Sequence, residues 1–215
     1  MTTRTAWFLG GVLLLFLDLA SPLDALANTL FSAHIAQQFI LALIVPILLV
    51  LGTPRSFQRL PVIPGAVSWL AGVGTMLGWH VPALFNAALA NEGLHMFQHL
   101  TFLATGVIFW WPILAPAEDR RLAPLPAIVY LFTACTACSL LGAILTFSPP
   151  GAYPAYLHPG DPWGLDAKTD QQLGGMLMWV PGCLVYLSAI LATFARWHRM
   201  PEREAASRQA MTQRP

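Results

Sequence analysis

Charged side chains are scarce in this sequence. Only 10% of its 215 residues are Asp, Glu, Lys or Arg, and 56% are hydrophobic, whereas a soluble domain carries about 25% charged residues. The few charges are also segregated, because none of them occurs in 25–54, 60–91, 93–117, 122–160 or 171–195. A membrane-spanning helix needs about 20 consecutive, mostly apolar residues. The composition therefore excludes an ordinary soluble domain and predicts a polytopic membrane protein.

Signatures of several functional classes are missing as well. The net charge is only +1, and no basic patch interleaved with aromatic residues is present, so we expect no nucleic-acid partner. The sequence contains no nucleotide-binding loop, no internal repeat, no GxSxG or HExxH motif and no paired carboxylates within a predicted span. Nothing nominates a nucleophile with its base. The sequence therefore predicts a protein that is not an enzyme.

The charge-free stretches predict an all-α bundle of about six transmembrane helices. The predicted spans are 5–20, 33–51, 66–84, 94–113, 125–147 and 171–196. Ten of the 11 Lys and Arg residues fall in the N-terminus, in the second and fourth links or in the tail. The positive-inside rule makes that side cytoplasmic, so both termini are inside. We expect one membrane domain, 1–200, and a short polar cytoplasmic tail, 201–215.

The first span has a second interpretation. Arg4, the apolar stretch that follows and the sequence ALA at 25–27 also resemble a secretory signal with its cleavage site. Cleavage would leave five spans without inverting the others. Asp18 and Asp24 lie near the outer end of this segment, and we expect both to be solvated at the membrane surface.

Four histidines fall in the outer third of the predicted spans, and they come from three different helices: His34, His80, His95 and His99. His95 and His99 are four residues apart and so share one helix face. Ionisable groups at this depth usually face a protein interior or a water-filled cavity, and neutral imidazole binds copper, zinc or iron. The pattern predicts a metal site formed by these four side chains. Alternatively, a histidine in a membrane helix is an interhelical hydrogen-bonding group.

Other side chains could complete such a site. Thioether sulfur prefers monovalent copper, and several methionines lie in the same half of the membrane, although methionine also fills gaps between helices. We predict four additional metal ligands or hydrogen-bond partners of the imidazoles: Gln38, Met96, Asp170 and Met178. Asp170 has an alternative role as a charge at a helix N-terminus. His158 is expected to be a solvated loop residue, and His198 one of several basic groups at a helix end.

The three cysteines form a second candidate site. Cys135 and Cys138 lie on the fifth predicted span, and Cys183 lies at a similar depth on the sixth. A CxxC pair in a helix can bind soft Cu(I) or form a redox pair. The small residues around 133–139 favour close helix packing instead, and we prefer that interpretation. No cysteine lies in an outer link, so no structural disulfide is predicted.

Seven short sequence motifs occur along the chain in a recognisable order. They are FSAHIAQQ at 31–38, LGTP at 51–54, WHVP at 79–82, HMFQH at 95–99, FWWP at 109–112, DQQLG at 170–174 and MWVP at 178–181. In this order they resemble the multi-span CtaG family of bacterial cytochrome c oxidase assembly factors. The resemblance extends over about 21–197.

The resemblance implies a function. Members of that family are associated with copper delivery to a haem-copper oxidase of the respiratory chain, which would make this chain a metal chaperone of the bacterial cytoplasmic (inner) membrane. Its partners would be an oxidase subunit and the lipid bilayer, and its cargo would be copper. The family's motif positions correspond to His34, His80, His95, His99 and Asp170. The family often has a second histidine where this chain has a glutamine at 38.

Two other functions remain open from the residues. Histidines on different helices could hold a b-type haem as its axial ligands, in a membrane redox protein. The chain could also be a copper or proton transporter, with the cysteines extending a path to mid-membrane. The outer link 148–170 is long for a connector without regular structure, so we predict a lid or docking segment, or else a plain connector.

Overall fold

The computed structural model describes residues 3–54, 63–157 and 164–212, with side chains to residue 199. Helices form all the regular structure in these ranges, and no strand occurs in them. Helices are expected for chains buried in lipid, because each helix satisfies its own backbone hydrogen bonds. The predicted all-α fold is confirmed.

The described residues form nine α-helices, which we number in chain order. The N-terminal region contains α1 (Thr3–Ala20) and the short α2 (Pro22–Ala27). One longer segment follows, made of α3 (Phe31–Phe39), a π-helical turn (Ile40–Ile44) and α4 (Val45–Gly52). The remaining helices are α5 (Gly65–Trp79), α6 (Pro82–Ala90), α7 (Glu92–Leu114), α8 (Pro124–Phe147) and α9 (Ala167–Thr212), which continues into the predicted tail.

Five helical segments of the described chain are long and apolar enough to cross a membrane: Thr3–Ala20, Phe31–Gly52, Glu92–Leu114, Pro124–Phe147 and Ala167–Arg199. The other predicted span, 66–84, is shorter than expected. Its helix α5 has 15 residues, which gives about 22 Å at 1.5 Å per residue, less than the roughly 30 Å hydrocarbon core. Pro82 forces Val81 into an extended conformation (ψ 124°), so the helix ends before it.

The distribution of polar and apolar side chains is that of a membrane protein. Large apolar side chains face outward, such as Phe147 at 76% exposure and Leu70 at 64%, while Gln37, Gln98 and Asp170 are buried. A water-soluble fold rarely exposes large contiguous apolar patches, whereas lipid accommodates apolar surface readily. The chain is therefore a polytopic helical membrane protein whose polar groups lie inside the bundle.

A proline sets the approach of the second membrane segment to α7. Pro46 has no N–H, so it cannot donate to the Ala42 carbonyl one helical turn earlier. The N–H of Val45 bonds instead to the Ile40 carbonyl, five residues back. Gly106 of α7 packs on this irregular turn, where an added Cβ would lie 2.5 Å from the Ala42 oxygen. This close contact holds α3 and α7 side by side.

Helices α8 and α9 pack through small residues. An added Cβ on Gly175 would lie 2.6 Å from the Thr146 nitrogen and 2.7 Å from the Gly142 oxygen. The two backbones are therefore nearly in contact, which is the use that membrane helices make of small residues.

The expectation that Asp18 is solvated is wrong. Its side chain is only 1% exposed, and neither carboxylate oxygen has a hydrogen-bond partner within the described ranges. The outer end of α1 is covered by α2 and the segment that follows it. Gln37 ties these elements together, because its side-chain NH₂ donates to the Asp18 carbonyl (3.0 Å) and to Asp24 Oδ1 (3.1 Å).

Candidate metal centre

Three of the four predicted histidines converge near the end of the bundle that is predicted to face outward. The ring centroids of His95 and His99 are 4.3 Å apart, and the His34 ring lies 5.3 Å from His95 and 6.5 Å from His99. We call these three residues the histidine cluster. It joins α3 to α7, two helices that are distant in the sequence.

The cluster has donor atoms available for a metal. The Nε2 atoms of His95 and His99 are buried and have no hydrogen-bond partner among the described residues. Imidazoles bound to one tetrahedral ion, with metal–nitrogen distances of about 2.0–2.1 Å, would place their ring centroids roughly 5 Å apart. The observed spacings lie on both sides of that value. As they stand, no three His, Cys, Asp or Glu side chains in the described ranges form a complete metal site, so binding would need side-chain rotation.

The start of α7 determines which of its side chains face the cluster. The Asn91 side chain accepts a hydrogen bond from the Leu94 N–H (2.9 Å) and fixes the first turn. His95 and His99 then point inward from one helix face. Met96 points outward, with 56% of its side chain exposed. The structure therefore does not bring this predicted ligand to the cluster.

Gln38 contacts the cluster through His34. The Gln38 Nε2 and His34 Nε2 atoms are 2.7 Å apart, and both side chains are buried. This hydrogen bond occupies one ring nitrogen of His34 and fixes the orientation of the ring. Outer partners of this kind orient imidazoles that bind metals. Gln38 is thus a hydrogen-bond partner of a candidate ligand, and its role at a metal site stays a prediction.

Asp170 makes a different contact. Its two carboxylate oxygens accept hydrogen bonds from the backbone N–H groups of Phe31 (2.6 Å) and Ser32 (3.0 Å), at the start of α3. Unpaired N–H groups and the helix dipole make that end attractive to an anion. Asp170 therefore holds α9 to α3, three residues before His34. Its predicted role as a metal ligand stays a prediction.

His80 lies apart from the histidine cluster, on the far side of Phe85. The Phe85 ring centroid is 5.0 Å from that of His34 and 6.2 Å from that of His80. His80 follows the last residue of α5, and its Nδ1 lies 2.7 Å from the Met76 carbonyl oxygen. A carbonyl can only accept, so Nδ1 carries the proton and the neutral ring has a lone pair on Nε2. Nε2 is buried without a partner in the described chain.

Two tyrosines that sequence reasoning did not single out cover this end of the bundle. The Tyr153 hydroxyl donates to the His80 carbonyl (2.8 Å), and the Tyr156 hydroxyl donates to the Ala27 carbonyl (3.0 Å). Burial raises the pKa of Tyr153 to about 12 and also raises the pKa of Tyr156. The signal in the sequence was the aromatic content of the predicted outer link, 148–170. Its first described stretch, 148–157, carries both tyrosines and covers this end of the bundle. His158 lies outside the described residues.

The cysteines meet at the α8–α9 contact. The sulfur atoms of Cys135 and Cys183 are 3.4 Å apart, and Ser139 Oγ lies 2.9 Å from the Cys183 sulfur. The Cys138 sulfur points elsewhere, 3.5 Å from the Met178 carbonyl oxygen. All three are free thiols. The structure thus pairs Cys135 with Cys183 and leaves Cys138 on the side of the bundle interior.

Comparison with known proteins identifies relatives of the chain. The family model for the cytochrome c oxidase caa3 assembly factor matches residues 1–200. Uncharacterised proteins of Mycobacterium bovis (strain ATCC BAA-935 / AF2122/97) and Mycobacterium tuberculosis (strain CDC 1551 / Oshkosh) are each 30% identical over 95% of this chain. An uncharacterised protein of Mycobacterium leprae (strain TN) is 27% identical over 93% of it. The chain spans only 35% of the length of each of these relatives. No solved structure matches significantly.

Proposed function

The chain belongs to the family of cytochrome c oxidase caa3 assembly factors, and from this premise we propose that it holds copper at the histidine cluster for insertion into a haem-copper oxidase. Copper is the cargo, and the protein acts without catalytic turnover. It would work in the bacterial cytoplasmic membrane, at the outer face of the bilayer, in contact with an oxidase subunit.

One observation carries this proposal: three imidazoles from two helices lie within 6.5 Å of one another, ring centroid to ring centroid, inside a membrane bundle. Burying unpaired imidazole nitrogens is costly, and His95 and His99 each keep one such nitrogen. A bound cation would satisfy both. Neutral imidazole nitrogen is a common copper ligand.

Because the histidine cluster is formed by two helices, it is also suited to releasing the copper ion. His34 is on α3, while His95 and His99 are on α7, so a small relative movement of the two helices would change the number of ligands that reach the ion. A chaperone needs this property, because its cargo must be retained and then surrendered to the oxidase. The aromatic cover formed by Tyr153 and Tyr156 lies over the same end and would have to open for transfer.

The two alternatives receive less support from the packing. The cavity beside His80 has a volume of about 20 Å³, which suits a single water or ion rather than a porphyrin. A transporter needs a polar path through the inner half, yet that part of the bundle contains the buried rings of Phe109, Trp110 and Tyr186 in mutual contact. We therefore rank copper holding first.

The test compares copper retention in matched histidine variants. The full chain is purified in detergent, loaded with Cu(I) under anaerobic conditions, and washed before elemental analysis and visible spectroscopy. His95→Ala with His99→Ala should remove the nitrogen-bound copper while the protein remains folded. His198→Ala is the control, because that histidine is exposed at the other end of the bundle.

Two results would contradict the proposal. Equal copper content in the double variant and in the control would rule out the histidine cluster as the site. A strong haem absorption band with stoichiometric iron in the unmodified protein would favour the redox alternative, with the same histidines as axial ligands.

A further inference from the structure

A second group of candidate ligands surrounds a small cavity deeper in the bundle. The cavity has a volume of about 20 Å³, and its lining includes Met76, His80, Cys138 and Met178. We call these four residues the thioether pocket. They come from the end of α5, from α8 and from α9, so only the tertiary structure brings them together. A cavity of this size can hold about one water-sized particle.

His80 offers a ligand atom that is already oriented. Its backbone carbonyl is held by the Tyr153 hydroxyl, and its Nδ1 is held by the Met76 carbonyl. The lone pair on Nε2 has no partner among the described residues, and the side chain is only 4% exposed, so solvent does not satisfy it either. An unpaired acceptor in such a place is costly unless something binds it. A metal-binding imidazole is usually fixed in this way by a hydrogen bond from its other nitrogen.

The buried methionines differ from the remaining ones in this half of the membrane. Met76 and Met178 are each 5% exposed, whereas Met96 and Met176 are 56% and 42% exposed. Buried methionine is often only a packing residue. Here two thioethers line the same cavity as a thiol and an unpaired imidazole nitrogen, and this set of soft donors is selective for monovalent copper.

We propose that the thioether pocket is a Cu(I) site separate from the histidine cluster, where copper is held by the sulfurs of Met76, Met178 and Cys138 together with His80 Nε2. The identification of copper as the ion rests on the proposed function. Gln38 lines the same cavity and contacts His34, so it connects the two sites. Copper could thus pass between an outer, nitrogen-rich site and an inner, sulfur-rich one.

Charge balance explains the presence of the thiol. An uncompensated cation in an apolar interior is strongly disfavoured, whereas Cu(I) bound to one thiolate is neutral. A Cu(I) complex of a small thiol can supply the ion by ligand exchange. The Cys138 sulfur replaces the donor's thiolate on copper, and the Cys138 proton moves to the departing thiolate. Copper remains Cu(I), and no electron is transferred.

The experiment uses two double variants that remove the same number of thioethers. Met76→Leu with Met178→Leu removes the pocket's thioethers, and Met96→Leu with Met176→Leu removes the two exposed ones. Leucine replaces methionine with little change in volume, so both should fold. The purified full-length variants are loaded anaerobically with the Cu(I)–glutathione complex and washed. Copper per chain and copper–sulfur scattering in X-ray absorption are then measured.

The pocket variant should lose the methionine contribution to the sulfur scattering and about half of the bound copper, as expected for one of two sites with different ligand types. The exposed-methionine variant should match the unmodified protein. Equal copper and equal sulfur scattering in the two double variants would overturn the proposal. So would loss of the sulfur signal in Cys135→Ser with Cys183→Ser alone, because that would locate the soft site at the other thiol pair.

The histidine variant separates this inference from the proposed function. If His95→Ala with His99→Ala removes nitrogen-bound copper but leaves the sulfur-bound fraction, both sites are supported. If it removes no copper while the pocket variant does, the histidine cluster fails as a site and the thioether pocket stands. An unmodified protein with copper but no sulfur scattering would overturn the pocket and leave the histidine cluster intact.

Discussion

Replacing Asp170 should destabilise the fold by loosening α3 from α9. Its carboxylate is 3% exposed and accepts hydrogen bonds from two backbone N–H groups at 2.6 Å and 3.0 Å. Asp170→Ala leaves both donors unpaired in a buried place, where each costs about 1–3 kcal/mol. The loss of the favourable charge at a helix N-terminus adds about 0.3–1 kcal/mol. We expect a decrease in the free energy of unfolding of about 2–7 kcal/mol.

Asp170→Asn should have a smaller effect. The amide keeps one acceptor oxygen for one N–H group, but its own NH₂ then faces the other donor. We expect a loss of about 1–2 kcal/mol. Unfolding is followed in mixed micelles as the fraction of denaturing detergent rises. Asp166→Ala is the control, because that carboxylate is exposed and its hydrogen bonds with the described residues come from the start of its own helix.

Copper retention in the same variants distinguishes a helix cap from a metal ligand. If Asp170 acts as the cap that the hydrogen bonds describe, Asp170→Asn should retain copper at low temperature, where the protein is folded. Equal stability of Asp170→Ala and Asp166→Ala would refute the reasoning about the buried cap. Loss of copper from a fully stable Asp170→Asn would instead support the ligand role predicted from the sequence.

Two further predictions concern packing and pH. Gly175→Ala should destabilise the bundle by about 1–3 kcal/mol, because the new methyl group meets the backbone of Thr146, whereas Gly74→Ala, with open space around it, should be neutral or slightly stabilising in the same unfolding assay. Tyr153→Phe should cost about 1 kcal/mol by removing the donor to the His80 carbonyl. Because burial raises the pKa of Tyr153 to about 12, its stabilising contribution should be complete below pH 10 and lost as the pH rises through 12. A pH-independent difference between the unmodified protein and Tyr153→Phe up to pH 12 would contradict this.

The positions of the long apolar helices could largely be predicted from the sequence, because lipid imposes a simple rule. A segment that crosses the bilayer must be apolar and helical over about 20 residues, and the charge-free stretches mark such segments directly. The exception is informative. The predicted span 66–84 is interrupted near His80, because Pro82 acts on the residue before it, and a window of average apolarity is insensitive to a single proline.

The candidate site could be predicted only in part from the sequence. Helical spacing is local, so the shared face of His95 and His99 follows from their separation of four residues, and the depth of His34 in its predicted span singled out that residue as well. Distances between helices are not local. That the His34 ring lies 5.3 Å from the His95 ring and that Met96 faces outward depends on how each helix is rotated about its axis, which the sequence pattern around them does not fix.

The sequence by itself therefore determined that this protein lies in a membrane, where its long apolar helices occur and which histidines are candidate ligands. It could do so because hydrophobicity and helical period are properties of one continuous segment. Tertiary structure alone decided that Asp18 is buried, that Asp170 caps α3 and that His80 shares a cavity with Met76 and Met178. Those outcomes arise from contacts between residues far apart in the chain, where the close approach of glycines such as Gly106 and Gly175 sets which side chains meet.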